Sequence, residues 1–328
     1  MIITRTPFRI SFFGGGTDYP IYYNNHGGSV LSTTINKYCY ITCRYLPPYF
    51  NYKYLIRYSK TELPVNIEQI EHPSVRECLK YMHFEKGVEM VHTADIPAMS
   101  GVGSSSSFTV GFLNALYALC GKMISKRKLA ADAIYVEQEL IGENVGSQDQ
   151  VAASFGGFNR IDFGGNDTFF IQPITITKER MNHLQNCLLF YFTGFARFSS
   201  DIAKEQIANT HRKLSELHTM KEMVDEAINV LNGGNNDIND FGKLLHESWK
   251  LKRSLTSKIT NNQINEIYEK GIESGALGGK ICGAGGGGFI VFFVSPEKKE
   301  LVKKSMKKLI RVPIHFENIG THIIHFTQ

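Results

Sequence analysis

No Cys-x-x-Cys pair occurs in the 328 residues; the six cysteines stand apart at 39, 43, 78, 120, 187 and 282, most of them inside apolar runs. That spacing argues against the common zinc frameworks and is expected of reduced, buried thiols in a cytoplasmic protein. No window reaches the ~18 uncharged apolar residues of a membrane-spanning helix. The opening MIITRTPFRI carries charge too early, and too little apolar sequence, for a secretory leader. There is no dense basic tract with interleaved aromatics, and the net charge is only +5. Nucleic acid and membrane are therefore not expected partners, and a slight preference for anionic small molecules remains. Internal repeats and low-complexity tails are also missing. Two enzyme signatures are absent: the nucleophile elbow G-x-S-x-G, and the P-loop G-x-x-x-x-G-K-[ST], which GALGGKIC fails at its leading glycine and after Lys280.

What is present is the profile of a folded chain, 42% apolar and 20% charged, long enough for about two domains. RISFF reads as a strand before a glycine-rich turn. INKYCYITCRYL alternates Cys39, Ile41, Cys43 and Tyr45 against Tyr38, Tyr40, Thr42 and Arg44, the period of a half-buried strand. GVEMVHTADI is a further strand. SSFTVGFLNALYALCG places Phe108, Phe112, Leu116 and Leu119 on one helical stripe that closes at Gly121, and the next helix runs from a Ser125 cap to Gly142. A break near Gly164–Asn166 and a short strand to about Pro173 close this half. The second half opens with the apolar strand CLLFYFTG, continues with helical patterns over 200–231, 238–255 and 262–274, and ends strand, helix, strand. The lysines at 298, 299, 303, 304, 307 and 308 read as a solvated helix face. Strands and helices mixed without strict alternation predict an α+β protein in two lobes, residues 1–178 and 179–328.

DIPAMSGVGSSSSFTVG, residues 95–111, sets two glycines and four serines directly before an apolar helix. A linker would be polar on both flanks. One serine would suffice for a helix cap, so the remainder point to a phosphate cradle. In it Gly101 and Gly103 admit a close backbone approach, and Ser104, Ser105, Ser106 and Ser107 offer amides and hydroxyls at a helix N-terminus. In the helix that follows, Glu137 falls on the apolar stripe of Leu129, Ala133, Ile134, Leu140 and Ile141, whereas Glu139 faces away. A buried carboxylate implies a metal or a structural salt bridge. Asp149, twelve residues on in a glycine-bounded loop, is either a turn former or the group that orients and deprotonates an attacking hydroxyl. KICGAGGGGFIVFF contains G-x-G-x-x-G but opens a strand rather than a helix, so it is no dinucleotide fingerprint. Its glycines imply backbone packed closely against a ligand or the opposite lobe.

Three stretches in order, TPFRISFFGGGTDYP, PAMSGVGSSSS and KICGAGGGGFIVFF, resemble the substrate, phosphate-loop and C-terminal motifs of the GHMP small-molecule kinases across nearly the whole chain. The resemblance implies a lobe like ribosomal protein S5 domain 2, a ferredoxin-like second lobe, and ATP with Mg²⁺ between them. Carried over position by position, it implies Asp149 as catalytic aspartate with Arg9 beside it, Glu137 on the metal, and Ser105 or its neighbour Ser106 as the metal's serine. Gly15, Gly16, Thr17 and Asp18 stand in the acceptor motif, together with Gly285 and Gly286 of the third. The Glu and His that grip galactose in galactokinases are absent from GGGTD. The surrounding sequence, with TGFARFSS, looks most like the branch that phosphorylates the anomeric C1 hydroxyl of D-glycero-D-manno-heptose 7-phosphate. Asp18 is either a sugar ligand or an Asx-turn former. A cation is needed for the acceptor's own phosphate: Arg197 is the first choice and Lys37 the second, their plainer readings being a surface arginine and a strand-edge lysine. The rival readings are a kinase of a fucose-like hexose or of mevalonate, and a non-catalytic sugar and nucleotide sensor. The expected partner is a small sugar phosphate, the expected state a cytoplasmic monomer or homodimer.

Overall fold

β1 (Ile2–Phe13) and β2 (Gly28–Tyr45) are the antiparallel pair to which most of the first sheet attaches. A computed structural model of the chain describes residues 1–164, 169–195, 199–233 and 237–327. Between the two strands lies α1 (Pro20–His26); β3 (Tyr54–Arg57), β4 (Thr61–Glu62), α2 (Pro73–Tyr81) and β5 (Val88–Ala94) follow. Three helices come next, α3 (Ser104–Leu119), α4 (Lys126–Tyr135) and α5 (Gln148–Phe155), then β6 (Phe158–Phe163) and β7 (Phe169–Pro173). α6 (Lys178–Asn186) leads into β8 (Leu188–Phe192), and four helices occupy the next stretch: α7 (Ser199–Asn209), α8 (Leu214–Leu231), α9 (Asn239–Ser254) and α10 (Asn262–Glu273). The chain ends with β9 (Ala276–Ile281), β10 (Phe289–Val294), α11 (Lys299–Ser305), β11 (Ile310–Arg311), β12 (Phe316–Glu317) and β13 (His322–Phe326).

Among the described residues the strands form two sheets. The larger runs β13-β1-β2-β5-β3-β4, with β6 and β12 also paired to β2 and β7 to β6; the smaller runs β11-β8-β10-β9. β2 serves several neighbours because it is long: residues 28–33 pair with β6 and 39–45 with β5. The alternation in β2 is as the sequence predicts as far as Arg44, with Cys39, Ile41 and Cys43 buried and Arg44 exposed; Tyr45, expected on the buried side, is exposed at the strand end, where its hydroxyl donates to Leu119 O. In β1 the register slips between Pro7 and Phe8. A proline has no N–H for the ladder and is tolerated at such a bulge. The residues just beyond it, Phe8 to Phe13, are all buried.

α3 packs on β1 and β2 and is buried on nearly every side, not only along its expected stripe. Phe108, Phe112 and Leu116 join Ile10, Ile35 and Ile41 in the main core. A second core under the smaller sheet gathers Trp249, Tyr268, Ile290, Phe292 and Val302. The helix expected over 126–141 is α-helical only to Tyr135 and then makes one π turn, Val136–Leu140, closed by Ile141 N to Val136 O at 2.9 Å. The pattern over 200–231 is two helices, α7 and α8. The break expected near Gly164–Asn166 falls largely outside the described residues.

Residues 316–326 return to the first sheet, β12 beside β2 and β13 beside β1. Assigning lobes by sheet and dividing the chain at 178/179 therefore give different units at the C-terminus. All six cysteines are free, and all but Cys120 are buried. No described helix is long and apolar enough to cross a membrane.

Candidate active site

A cleft of about 310 Å³ opens where the end of β1, the N-termini of α3 and α5, and the turn from β9 to β10 meet. α3 starts at Gly103, which stands as its N-cap with φ +76°. A glycine cap brings no side-chain oxygen to close the first turn, so amides and helix dipole are left for an anion. Gly101 and Gly103 line the cleft beside Ser104, Ser105 and Ser106. The turn before the helix is fixed from the far side. Gly101 (φ +80°) and Gly283 (φ +71°) stack so tightly that a Cβ on Gly101 would lie 2.4 Å from Cys282 O, and one on Gly283 2.7 Å from Gly101 O. The third glycine cluster thus packs its backbone on the serine-rich turn, as its composition implied.

Arg9 projects from β1 into this corner. Its Nη1 donates to Gly101 O at 2.6 Å, and its Nε and Nη2 donate to Asp149 Oδ1 and Oδ2 at 2.7 Å each. Asp149 sits in the first turn of α5. Its side chain is 22% exposed against 6% for Arg9, so the acid is the accessible member of the pair. Burial pushes the Asp149 carboxyl above the ordinary aspartate range, against the pull of the guanidinium. Each oxygen keeps a lone pair beyond the Arg9 bond, which equips the group to accept from a hydroxyl.

Glu137 is wholly buried, as its place on the stripe predicts, and Glu139 is exposed. No cation pairs with Glu137 among the described residues, which removes the salt-bridge alternative. Its Oε2 accepts from Ser106 Oγ (2.8 Å) and from Gln150 Nε2, while Oε1 has no partner. Burial pushes the carboxyl up to about 7. The hydroxyl bonded to Glu137 belongs to Ser106, while Ser105 is exposed. An unpartnered buried oxygen next to a hydroxyl suits a hard, oxygen-seeking cation such as Mg²⁺, which takes one or two protein carboxylates and completes its shell from phosphates and water. Among the described residues no group of three His, Cys, Asp or Glu could hold a metal unaided.

Gly15, Gly16 and Asp18 line the opposite wall. Asp18 accepts from Gly16 N and from Gln148 Nε2, both at 2.9 Å. Four of the expected residues do not line the cleft. Thr17 is buried away from the cleft, its hydroxyl bonded to Gly14 O and Ser29 O, because it closes the loop between β1 and β2. Ser107 donates to Pro7 O at 3.0 Å, tying α3 to β1. Gly285 and Gly286 pack on Ile259, with Gly286 N donating to Ile259 O at 2.8 Å; Gly283 and Ala284 face the cleft instead. Arg197 lies outside the described residues, and Lys37 is half-buried on β2, away from the cleft lining.

The cleft also holds groups that sequence reasoning missed: Ser11, Tyr19, Glu143, Gln148, Lys252 and Lys280. Ser11 Oγ and Gln148 Oε1 are buried without partners. Lys252 and Lys280 are only 5% and 4% exposed. The arrangement can hold an anionic chain on helix amides and hydroxyls, place a divalent cation beside it, and present a carboxylate to a hydroxyl across the gap.

Residues 73–157 match the family model "GHMP kinases N terminal domain" and residues 221–311 the model "GHMP kinases C terminal". A D-glycero-alpha-D-manno-heptose 7-phosphate kinase of Campylobacter jejuni is 30% identical, over 94% of this chain and 93% of its own. A structure described as a D-glycero-D-manno-heptose 1-phosphate kinase from Bacteroides thetaiotaomicron superposes with TM-score 0.80 at 24% identity, covering both chains completely. Phosphomevalonate kinase of Streptococcus pneumoniae, solved with phosphomevalonate and AMPPNP, shares the fold with TM-score 0.75 at 16% identity over 99% of this chain and all of that one.

Proposed function

Because the chain belongs to the GHMP kinases, and its 30% identity to a heptose phosphate kinase makes it a sugar kinase that takes its phosphoryl group from ATP, we propose that it phosphorylates the anomeric C1 hydroxyl of D-glycero-D-manno-heptose 7-phosphate. The product would be the 1,7-bisphosphate, a precursor of nucleotide-activated heptose for surface polysaccharide. The acceptor rests on the name of the 30% identical relative and on Gly15 and Gly16, which stand where galactokinases carry Glu and His; a Cβ on Gly15 would have nothing nearer than 3.9 Å, whereas one on Gly16 would meet Gln206.

The observation that carries the reading is the two-pronged Arg9–Asp149 pair beside the N-terminus of α3. The amides and hydroxyls of Ser104–Ser106 take the triphosphate, with Glu137 and Ser106 as the residues that would hold Mg²⁺. A bound Mg²⁺ supplies charge neutralisation for the phosphates. Asp149 orients the C1 hydroxyl and accepts its proton as the new O–P bond forms and the bond to the β,γ-bridging oxygen breaks; ADP leaves with that oxygen. Arg9 holds the acid in place and favours its ionised form. Gly15, Gly16 and Asp18 contact the sugar.

³¹P NMR of the product from ATP and D-glycero-D-manno-heptose 7-phosphate tests the assignment. A second phosphomonoester resonance coupled to the anomeric proton is expected. A new ester at another carbon, or faster turnover of fucose-like hexoses or mevalonate in a coupled ADP assay, overturns it.

A further inference from the structure

Two lysines from different elements bring their ammonium groups to the same wall of the cleft. Lys252 comes from α9 and Lys280 from β9. Lys280 Nζ donates to Phe12 O at 3.1 Å; Lys252 Nζ donates to Gln206 Oε1 at 3.0 Å and reaches Gly15 O at 3.4 Å. These acceptors are neutral oxygens. Among the described residues no carboxylate lies within ion-pair distance of either lysine. An ammonium has three N–H donors, so donors are left over on both. The neighbouring charges do not balance them. Arg9 is matched by Asp149, which leaves the single charge of Asp18 to act on both lysines. Burial pulls Lys252 down to about 8, and burial together with the charge of Lys252 pulls Lys280 down to about 7. Two buried ammonium groups with one carboxylate acting on both are undercompensated unless a ligand completes the site.

We propose that Lys252 and Lys280 form the receptor for the acceptor's own phosphate, so that the cleft selects phosphorylated sugars over unphosphorylated ones. The inference deepens the kinase reading and rests on it. The acceptor rather than the nucleotide is assigned because both lysines bond carbonyls of the β1 end and the Gly14–Asp18 loop. The triphosphate has its own receptor at the start of α3. A phosphate dianion beside two ammonium groups takes up the unused donors and reverses the local charge excess. The site thus supplies the cation that the sequence sought in Arg197 and Lys37.

The test is calorimetric titration of the full-length protein with D-glycero-D-manno-heptose 7-phosphate, with the unphosphorylated heptose, and with AMPPNP. Wild type is compared with Lys252→Met, Lys280→Met and the double variant. Wild type should bind the phosphorylated sugar more tightly, and each single variant should lose roughly 10- to 100-fold of that affinity, the usual effect of removing a charged hydrogen bond. Affinity for the unphosphorylated heptose and for AMPPNP should stay within about threefold of wild type, allowing for ordinary mutational scatter. Because an isosteric apolar chain replaces a buried charge, the variants should melt at or above the wild-type temperature. Equal wild-type affinity for the two sugars, absence of sugar binding, or loss of AMPPNP affinity in place of sugar phosphate affinity overturns the proposal. Lysine-dependent discrimination in a protein that fails to phosphorylate C1 leaves the receptor standing and removes only the reaction. C1 phosphorylation with lysine-independent discrimination does the reverse.

Discussion

In Asp149→Asn the side chain keeps its shape, but one of the two atoms facing Arg9 becomes a donor and the negative charge disappears. The guanidinium, 6% exposed, is left with Gly101 O and one amide oxygen. Turnover should fall by roughly 10²- to 10⁴-fold, the usual effect of removing a positioned proton acceptor, and the melting temperature should fall with it. Coupled ADP release and thermal unfolding check both; normal turnover with lowered stability would make the pair structural only. Glu137 gives a pH signature. Its carboxyl, raised from the ordinary glutamate value to about 7 by burial, holds a proton in the folded protein that the unfolded chain releases near 4.5. Its contribution to stability is therefore complete below about 4.5 and is lost as pH rises through about 7. Glu137→Gln, neutral at every pH, should gain stability relative to metal-free wild type across that window while losing Mg²⁺-dependent turnover. Melting curves from pH 4 to 8 that shift in parallel would refute this. Arg9, Glu137 and Asp149 were legible because motif or stripe marks them. Lys252 was equally open to reading, since Leu245, Ser248, Trp249 and Lys252 share one face of α9 and all are buried. A lysine on an apolar stripe is the same signal as a glutamate on one. Lys280 was not legible, because only the folding of Gly278–Ile281 into a buried strand takes it out of water.

The run Ser104–Ser107 reads as uniform sequence, but the helix divides it. Successive residues of α3 turn by about 100°, so Ser105 faces solvent at the cleft while Ser107 reaches Pro7 O on β1. Ser107→Ala should cost about 1 kcal/mol of stability, the value of a buried hydrogen bond, and leave the KM for ATP near wild type. Ser105→Ala should do the opposite, raising the KM for ATP with little change in melting temperature. A matching effect of both substitutions on stability or on KM would contradict the division. At this scale β2 and α3 follow from side-chain periodicity, and β1 and β10 from short apolar runs beside glycine-rich turns. The π turn at Val136–Leu140 does not, because it changes which carbonyl each N–H finds without altering the pattern of apolar residues. β9 escaped too: ALGGKI carries little strand propensity, and its place is set by pairing with β10 and by α9, whose Gly242 backbone lies where a Cβ on Gly278 would fall.

The whole molecule joins its two sheets at the cleft through backbone as well as through the side chains of a shared core. Gly101 belongs to the turn before α3, which packs on the larger sheet, and Gly283 to the turn after β9 in the smaller one; the two turns stack with no room for a Cβ on either. Ser100 O also accepts from Phe289 N at 3.1 Å, so the start of β10 and the serine-rich turn are hydrogen-bonded neighbours. Movement at one turn is therefore transmitted to the other, and with it to Arg9, whose Nη1 is bonded to Gly101 O. In Gly283→Ala the positive φ costs about 1 kcal/mol or more for an L-residue, and the methyl meets Gly101 O at 2.7 Å. The turns must separate to accept it. The variant should melt lower than wild type and also show a raised KM for ATP, although Gly283 offers no side chain to any ligand. Gly121→Ala is the control. Its φ is equally positive at +67°, but nothing lies within 4 Å of the added methyl and the residue is remote from the cleft. It should lose a comparable backbone increment of stability with the KM for ATP unchanged. If the two variants behave alike in KM, the stacked turns do not govern the nucleotide site and the cleft is held by its side-chain contacts instead.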